Sequence, residues 1–180
     1  NFETGLSATV GFDYEINENS KKFDFSVAQI ISEKENKKMA SKTSLDEKLS
    51  DLVGSSKVEI NEKLDFTYNF SLDQNYNEFN YNEFNSNFNF DPMKIGFGYI
   101  LENNHIGDQE YFKTKIDYTS RNSLLSFETK RNLISDSSEF YNLSYEYMND
   151  CLRAGLVYRR EFYNDSELEP ENSLMFKITL

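Results

Sequence analysis

The residues able to do chemistry are few. Cys151 is the single cysteine, set in "SYEYMNDCLRAGLVYRR", Ser144 to Arg160, at the edge of a polar turn. One cysteine makes neither an internal disulfide nor a zinc cluster. His105 is the single histidine, in "NNHIGD". A hydrolase would need a serine beside it and a third group to orient it, and the spacing supplies neither, so it reads as a loop histidine. Asp73, Asn75 and Asn77 carry the one-three-five spacing of a calcium loop. That loop needs Gly where Glu78 stands, and Glu83 comes one residue early. There is no glycine-rich phosphate loop. No catalytic, cofactor-binding or metal-binding residue is assigned, and the chain reads as a non-enzyme. The remaining candidates are Arg121, Arg131, Arg153, Arg159 and Arg160. Arg153 and Arg159 share a parity with Cys151, opposite to Leu152, Leu156 and Tyr158. On a strand they face away from the apolar side, where pairing with carboxylates is the expected use and guidance of an anionic headgroup the alternative.

The elements that must position these residues are strands. Leu6, Ala8, Val10, Phe12, Tyr14 and Ile16 alternate with Ser7, Thr9, Gly11, Asp13 and Glu15. The same period of two runs through Leu64–Phe70, Ile95–Tyr99, Leu143–Tyr147 and Leu174–Leu180, and it marks strands with one apolar face. About eleven such strands are predicted, most about nine to thirteen residues long, the length that crosses a bilayer at a tilt. Short turns at Asn17–Lys21, Asn61–Lys63, Asp91–Met93, Thr119–Asn122 and Asn149–Asp150 alternate with longer, more charged loops at Glu33–Ser50, Asp73–Asn77, Glu102–Gln109, Ile134–Glu139 and Tyr163–Asn172. Alternating short turns and long loops are the habit of a transmembrane barrel, and a soluble sandwich has no reason to keep them. The predicted fold is an all-β, antiparallel up-and-down transmembrane β-barrel, in part. One irregularity interrupts it: "YNEFN" occurs twice in succession from Tyr76 to Asn85. A period of five cannot stay on one face, so a β-bulge is expected near Asn82.

Composition agrees. The chain has 180 residues, 16 Phe, 12 Tyr and no Trp, with a net charge of −12. That charge argues against binding a nucleic-acid backbone, so no nucleic-acid partner is expected. No stretch approaches the roughly 18 apolar residues of a membrane helix. A barrel strand is apolar only at alternate positions, so the mean hydropathy of −0.71 is compatible with one. With Asn at its start, the chain reads as a mature form or a piece of a longer one, and an odd strand count favours the piece.

The final strand, Ser173–Leu180, resembles the C-terminal signal strand of outer-membrane proteins, which ends at the periplasmic side. The turn at Asn149–Asp150 then lies on that side too. Cys151 beside it sits in an oxidising compartment, either as an ordinary small residue or as half of a bridge to a segment outside this chain.

"SYEYMNDCLRAGLVYRREF" followed by "YNDSELEPENSLMFKITL" is similar to the C-terminal end of the LptD family, lipopolysaccharide-assembly proteins once called organic solvent tolerance proteins. "SLDEKLSDLVGSSKVEI", Ser44 to Ile60, resembles the family's run from a loop into a strand. The resemblance implies that residues 1–180 are the C-terminal part of a barrel of about 26 strands, with an N-terminal periplasmic domain absent from this chain. It implies an outer-membrane location and lipopolysaccharide carried through the lumen to a lateral gate between the first and last strands. It also implies an LptE-like lipoprotein plug and a periplasmic lipopolysaccharide-bridge protein as partners. In family terms Cys151 is the candidate for an interdomain disulfide. Ser173, Leu174, Met175, Phe176, Lys177, Ile178, Thr179 and Leu180 are the candidate gate strand. Pro170, which lacks a backbone donor, is the candidate gate proline. The competing readings are a porin or substrate-specific channel, a lipid hydrolase resting on His105, and a soluble acidic β-sandwich.

Overall fold

The computed structural model describes residues 5–39, 44–103, 108–162 and 171–179. They form eleven strands and no helix: β1 (Ser7–Glu18), β2 (Lys21–Ser32), β3 (Leu52–Asn61), β4 (Leu64–Leu72), β5 (Phe79–Phe90), β6 (Met93–Glu102), β7 (Gln109–Thr119), β8 (Ser123–Asn132), β9 (Ser137–Met148), β10 (Arg153–Glu161) and β11 (Asn172–Thr179). Their order in the sheet is their order in the chain, with β1 and β11 as the terminal strands. This is the up-and-down arrangement predicted. The strands run from 8 residues in β11 to 12 in β1, β2, β5 and β9, so most meet the length of about nine to eleven that a tilted crossing requires. The chain divides into two compact units. Unit 1 is residues 1–85 with 99–109, and unit 2 is residues 86–98 with 110–180.

In unit 1 the register keeps each apolar row on one face. Phe12 lies opposite Val27, Tyr14 opposite Phe25 and Ile16 opposite Phe23. Phe23 lies opposite Val58, and Val58 opposite Phe66. The row reaches β5 by aromatic contact, with the rings of Phe66 and Phe84 stacked 6.0 Å apart. Gly54 lies opposite Phe70, whose ring covers it so closely that a β-carbon at Gly54 would collide with it. The ring fills the gap a strand glycine leaves, and the lack of a side chain lets it do so.

Unit 2 repeats the pattern. Ile116 and Tyr118 face Phe127 and Leu125; these face Leu143 and Tyr145, then Tyr158 and Leu156, then Leu174 and Phe176. A one-residue slip at any pair would turn a whole row to the other face, so the alternation itself fixes the register.

No apolar side chain among the described residues is buried. Phe12 is 57% exposed and Phe176 68%. Exposed apolar rows this continuous mark an interaction surface, and a face of regular strands with no apolar core is what hydrocarbon covers. The sandwich reading required two apolar faces packed together, which these exposures do not fit.

Candidate functional site: the polar face and its bulges

The opposite face of each unit carries the polar side chains. In unit 1 the functional groups centre on Asp51. From Ala28 opposite Val53 to the bridge of Ile31 with Leu49, the β2–β3 ladder gains one residue on the β3 side. Such an extra residue disrupts the ladder locally and re-aims the side chains there. Ser50 and Asp51 stand in that interval. Ser50 closes it: its N–H donates to the Ile30 carbonyl at 2.9 Å, its hydroxyl accepts the Ile30 N–H at 2.9 Å, and its carbonyl accepts the Gln29 amide at 2.8 Å. Asp51, 8% exposed, accepts three hydrogen bonds from separate segments. Ser44 donates to Oδ1 at 2.5 Å, while Ser71 and Asn80 donate to Oδ2 at 2.9 and 2.8 Å.

Beside Asp51, Glu83 forms a second node. It accepts from Asn69 at 3.0 Å, Tyr81 at 2.9 Å and Asn85 at 3.0 Å, and Ser55 extends the network to Asn69 at 2.8 Å. The "YNEFN" duplication lies here. Phe79 meets Phe70 edge-on and Phe84 stacks on Phe66, so residues of opposite parity share the apolar face. Asn80 reaches Asp51 and Tyr81 reaches Glu83 on the polar face. The change of parity therefore falls at Asn80–Tyr81, slightly before Asn82. A hollow of about 760 Å³ opens beside these groups, lined in part by Ile30, Leu45, Asp51, Val53, Asn80 and Tyr81. Its volume is within the usual range of ligand clefts.

Asp73 is a turn residue. Its Oδ1 accepts the N–H groups of Asn77 at 2.7 Å and Glu78 at 3.1 Å, and Tyr76 takes a positive φ of 60° in the same turn. Those bonds, with the Glu78 N–H first, hold the Asp73 carboxyl below its ordinary range. The carboxylate is thus spent on backbone donors. Among the described residues no group of three or more His, Cys, Asp or Glu is arranged to hold a metal.

Unit 1 also carries ion pairs away from these two nodes, Lys22 with Asp24 at 3.1 Å and Lys57 with Glu59 at 2.5 Å, and in unit 2 such pairs run through the polar face. Lys113 pairs with Glu128 at 2.8 Å, Lys115 with Asp117 at 3.4 Å, Lys130 with Glu139 at 2.8 Å and Arg153 with Glu146 at 2.6 Å; Arg159 pairs with Glu161. Both arginines expected on this face therefore meet carboxylates there. Lys113 and Lys130 stand directly opposite each other, a repulsive placement. It is relieved because each ammonium turns to its own carboxylate, and Lys130 also sits 3.6 Å from the centre of the Tyr111 ring. Glu139 is delivered by a second bulge: Lys130 lies opposite Phe140 and Arg131 opposite Ser138, leaving Glu139 between them.

Cys151 is an exposed free thiol in the β9–β10 turn, where its N–H donates to Asn149 Oδ1 at 3.0 Å. Within this chain no second thiol exists to pair with it. Of the gate-strand candidates, Ser173 to Thr179 lie in β11, which begins one residue earlier at Asn172. Leu174, Phe176 and Ile178 carry its apolar face, in register with Tyr158, Leu156 and Ala154 of β10. Met175 and Lys177 have the other parity. His105, Pro170 and Leu180 lie outside the described residues. The sequence reading did not single out Asp51 or Glu139, and weighed Glu83 only against a calcium loop, because Asp51 and Glu139 gain their roles from partners on other strands. Asp51 does fall inside the "SDLVG" run that carried the family resemblance.

No curated protein matches the chain. A family model does: LptD, described as LPS transport system D, over residues 2–132. The match includes Ser44–Ile60 and ends at the last residue of β8, so the block from Ser144 onward lies beyond it. With strands apolar on one face and polar on the other, and most of the sequence inside that match, this chain belongs to the LptD family of the Gram-negative outer-membrane lipopolysaccharide transport system.

Proposed function

We propose that this chain is the C-terminal part of an outer-membrane barrel that passes lipopolysaccharide to the outer leaflet through its lumen and a lateral gate, and that its N-terminal periplasmic domain lies outside these residues. The observation that carries the reading is the contrast between the faces of β11. Leu174, Phe176 and Ile178 form an exposed apolar row, while Lys177 stands on the polar side of the same strand. A strand of this kind at one end of the order offers acyl chains an apolar edge and the sugar a polar one. Its ladder to β10 has only eight paired positions, from Arg153–Thr179 to Arg160–Asn172. A seam made by so short a strand has few main-chain bonds to break. Pro170, two residues before that strand in the sequence, is the candidate gate proline.

No bond is made or broken in the cargo; the work is positioning and passage. The polar face supplies hydrogen bonds for sugar hydroxyls. An LptE-like lipoprotein fills the lumen, and a periplasmic bridge protein delivers the lipid to the N-terminal domain. Cys151, exposed at a turn, is available to a cysteine of that domain.

The test is a photo-crosslinking residue at Lys177 in the full-length protein in cells. Its side chain faces away from the bilayer, so a resident membrane lipid does not reach it. A lipopolysaccharide adduct that disappears when periplasmic supply is shut off is expected. No adduct at Lys177, with supply intact, would return the protein to the channel reading. Non-reducing peptide mapping of Cys151 tests the bridge separately, and a free thiol in mature protein would remove it.

A further inference from the structure

The segment Ser44–Ser50 is not a free loop end. It runs back along β2, with the Lys48 carbonyl accepting the Ser32 N–H at 2.7 Å, the Asp46 carbonyl accepting the Asn36 N–H at 2.8 Å, and Leu49 bridged to Ile31. Asn36 and Ser50, both less than a tenth exposed, are covered where the segment lies down. Leu45 of the segment joins Ile30 and Val53 in lining the hollow. These contacts describe a strap laid over the polar face of unit 1. Along β2 the segment is held by backbone bonds; at its Ser44 end a side-chain tie to the sheet is added, the Ser44 hydroxyl donating to Asp51. The same carboxylate is fixed from the sheet by Ser71 of β4 and Asn80 of β5.

We infer that Asp51 is a clasp: a positioning residue that fastens the strap Ser44–Ser50 to β4 and β5 and so holds Leu45 in the wall of the neighbouring hollow. The chemistry fits the task. A buried carboxylate is acceptor only and takes several donors at once, so one group ties the strap to β4 and β5 together. Asp51 continues the polar-face parity of Val53 and Ser55, which aims it at Ser71, while the one-residue slip of the β2–β3 ladder beside it is where the strap leaves β3. Ser44 is then the releasable partner, because its removal leaves the carboxylate still bound to the sheet. The inference does not depend on what the protein transports.

Hydrogen exchange of the intact protein in detergent micelles tests it, read at the amides of Ile30, Ser32, Asn36 and Ser50. Asp51→Ala is expected to speed exchange at these amides about a hundredfold, well beyond any change in β8 and β9 of unit 2. Ser44→Ala, which cuts only the strap side, is expected to speed Asn36 several-fold and leave Ser71 and Asn80 protected. Exchange unchanged in both variants overturns the clasp. Should Asp51→Ala loosen unit 2 as well, Ser44→Ala decides: faster exchange confined to the strap sustains the inference, and none overturns it.

Discussion

The Asp51 region of unit 1 and the polar face of unit 2 solve the same problem in different chemical terms. Each must keep a polar face orderly while its apolar face is given over to contact outside the sheet. Unit 1 does so around Asp51 and Glu83, where carboxylates collect neutral donors from serine, asparagine and tyrosine. Unit 2 does so with a ladder of opposite charges from Lys113 to Arg159. Both rely on a bulge. The slip beside Asp51 brings the strap with Ser44 to its carboxylate, and the slip at Glu139 places a carboxylate beside Lys130. The lesson is that a bulge supplies the direction and the neighbouring strand supplies the partner. A buried carboxylate with three donors is expensive to strip, whereas a half-exposed ion pair is cheap, so the two faces must differ in robustness.

The largest expected effect tests that difference directly. Asp51→Ala leaves three donors without their acceptor and is expected to lower the stability of the protein by about 3 kcal/mol. The matching change in unit 2, Glu146→Ala, removes a partner from an arginine whose side chain is 60% exposed, and is expected to cost less than about 1 kcal/mol. Denaturant unfolding in micelles checks both, and equal costs would erase the contrast.

Glu83→Gln comes next. One oxygen is kept and an acceptor is exchanged for a donor that Tyr81, Asn69 and Asn85 do not need, for an expected loss of about 2 kcal/mol. The readout is the same unfolding curve, and an unchanged midpoint would show that the network is ornamental.

Salt sharpens the comparison further. Raising ionic strength weakens exposed pairs more than buried hydrogen bonds. Amides of β8–β10 are therefore expected to lose protection by a few-fold between low and high salt, while those beside Asp51 hold theirs. Loss of protection in unit 1 alone would reverse the assignment.

The smallest effect concerns Asp73. Its folded carboxyl titrates below its ordinary range because backbone N–H groups, that of Glu78 first, hold the charged form. The stabilisation is therefore complete above the unfolded value, near 3.8, and disappears as pH falls through the lower folded value. Exchange at the Asn77 and Glu78 amides is expected to rise only in that acid window, and Asp73→Asn is expected to flatten the profile.

Much of the architecture was legible beforehand because alternation is a one-dimensional signal. Phe12, Tyr14 and Ile16 announce a face without reference to any neighbour, and the short turn at Asn149–Asp150 announces a reversal. The duplication at Tyr76–Asn85 also betrayed a parity change, though its position at Asn80–Tyr81 came from the partners of those residues. The candidate site was less legible. Arg153 and Arg159 were placed on the polar face by parity, and Glu146 and Glu161 met them there. Asp51 gave no such cue. Its three partners lie at sequence separations of 7, 20 and 29, and no local pattern encodes such a meeting.

The sequence by itself determined that this protein is made of two-faced strands, which row of each faces outward, and which family it resembles. The reason is that period, strand length and turn length are properties of contiguous residues. Only the tertiary structure decided which carboxylates become nodes. Asp51 shares the face of Val53 and Ser55 and there meets Ser71 of β4 and Asn80 of β5, while a one-residue slip in the β8–β9 ladder leaves Glu139 beside Lys130. Side-chain direction at a bulge is set by the strand across from it, and that strand is chosen by the fold.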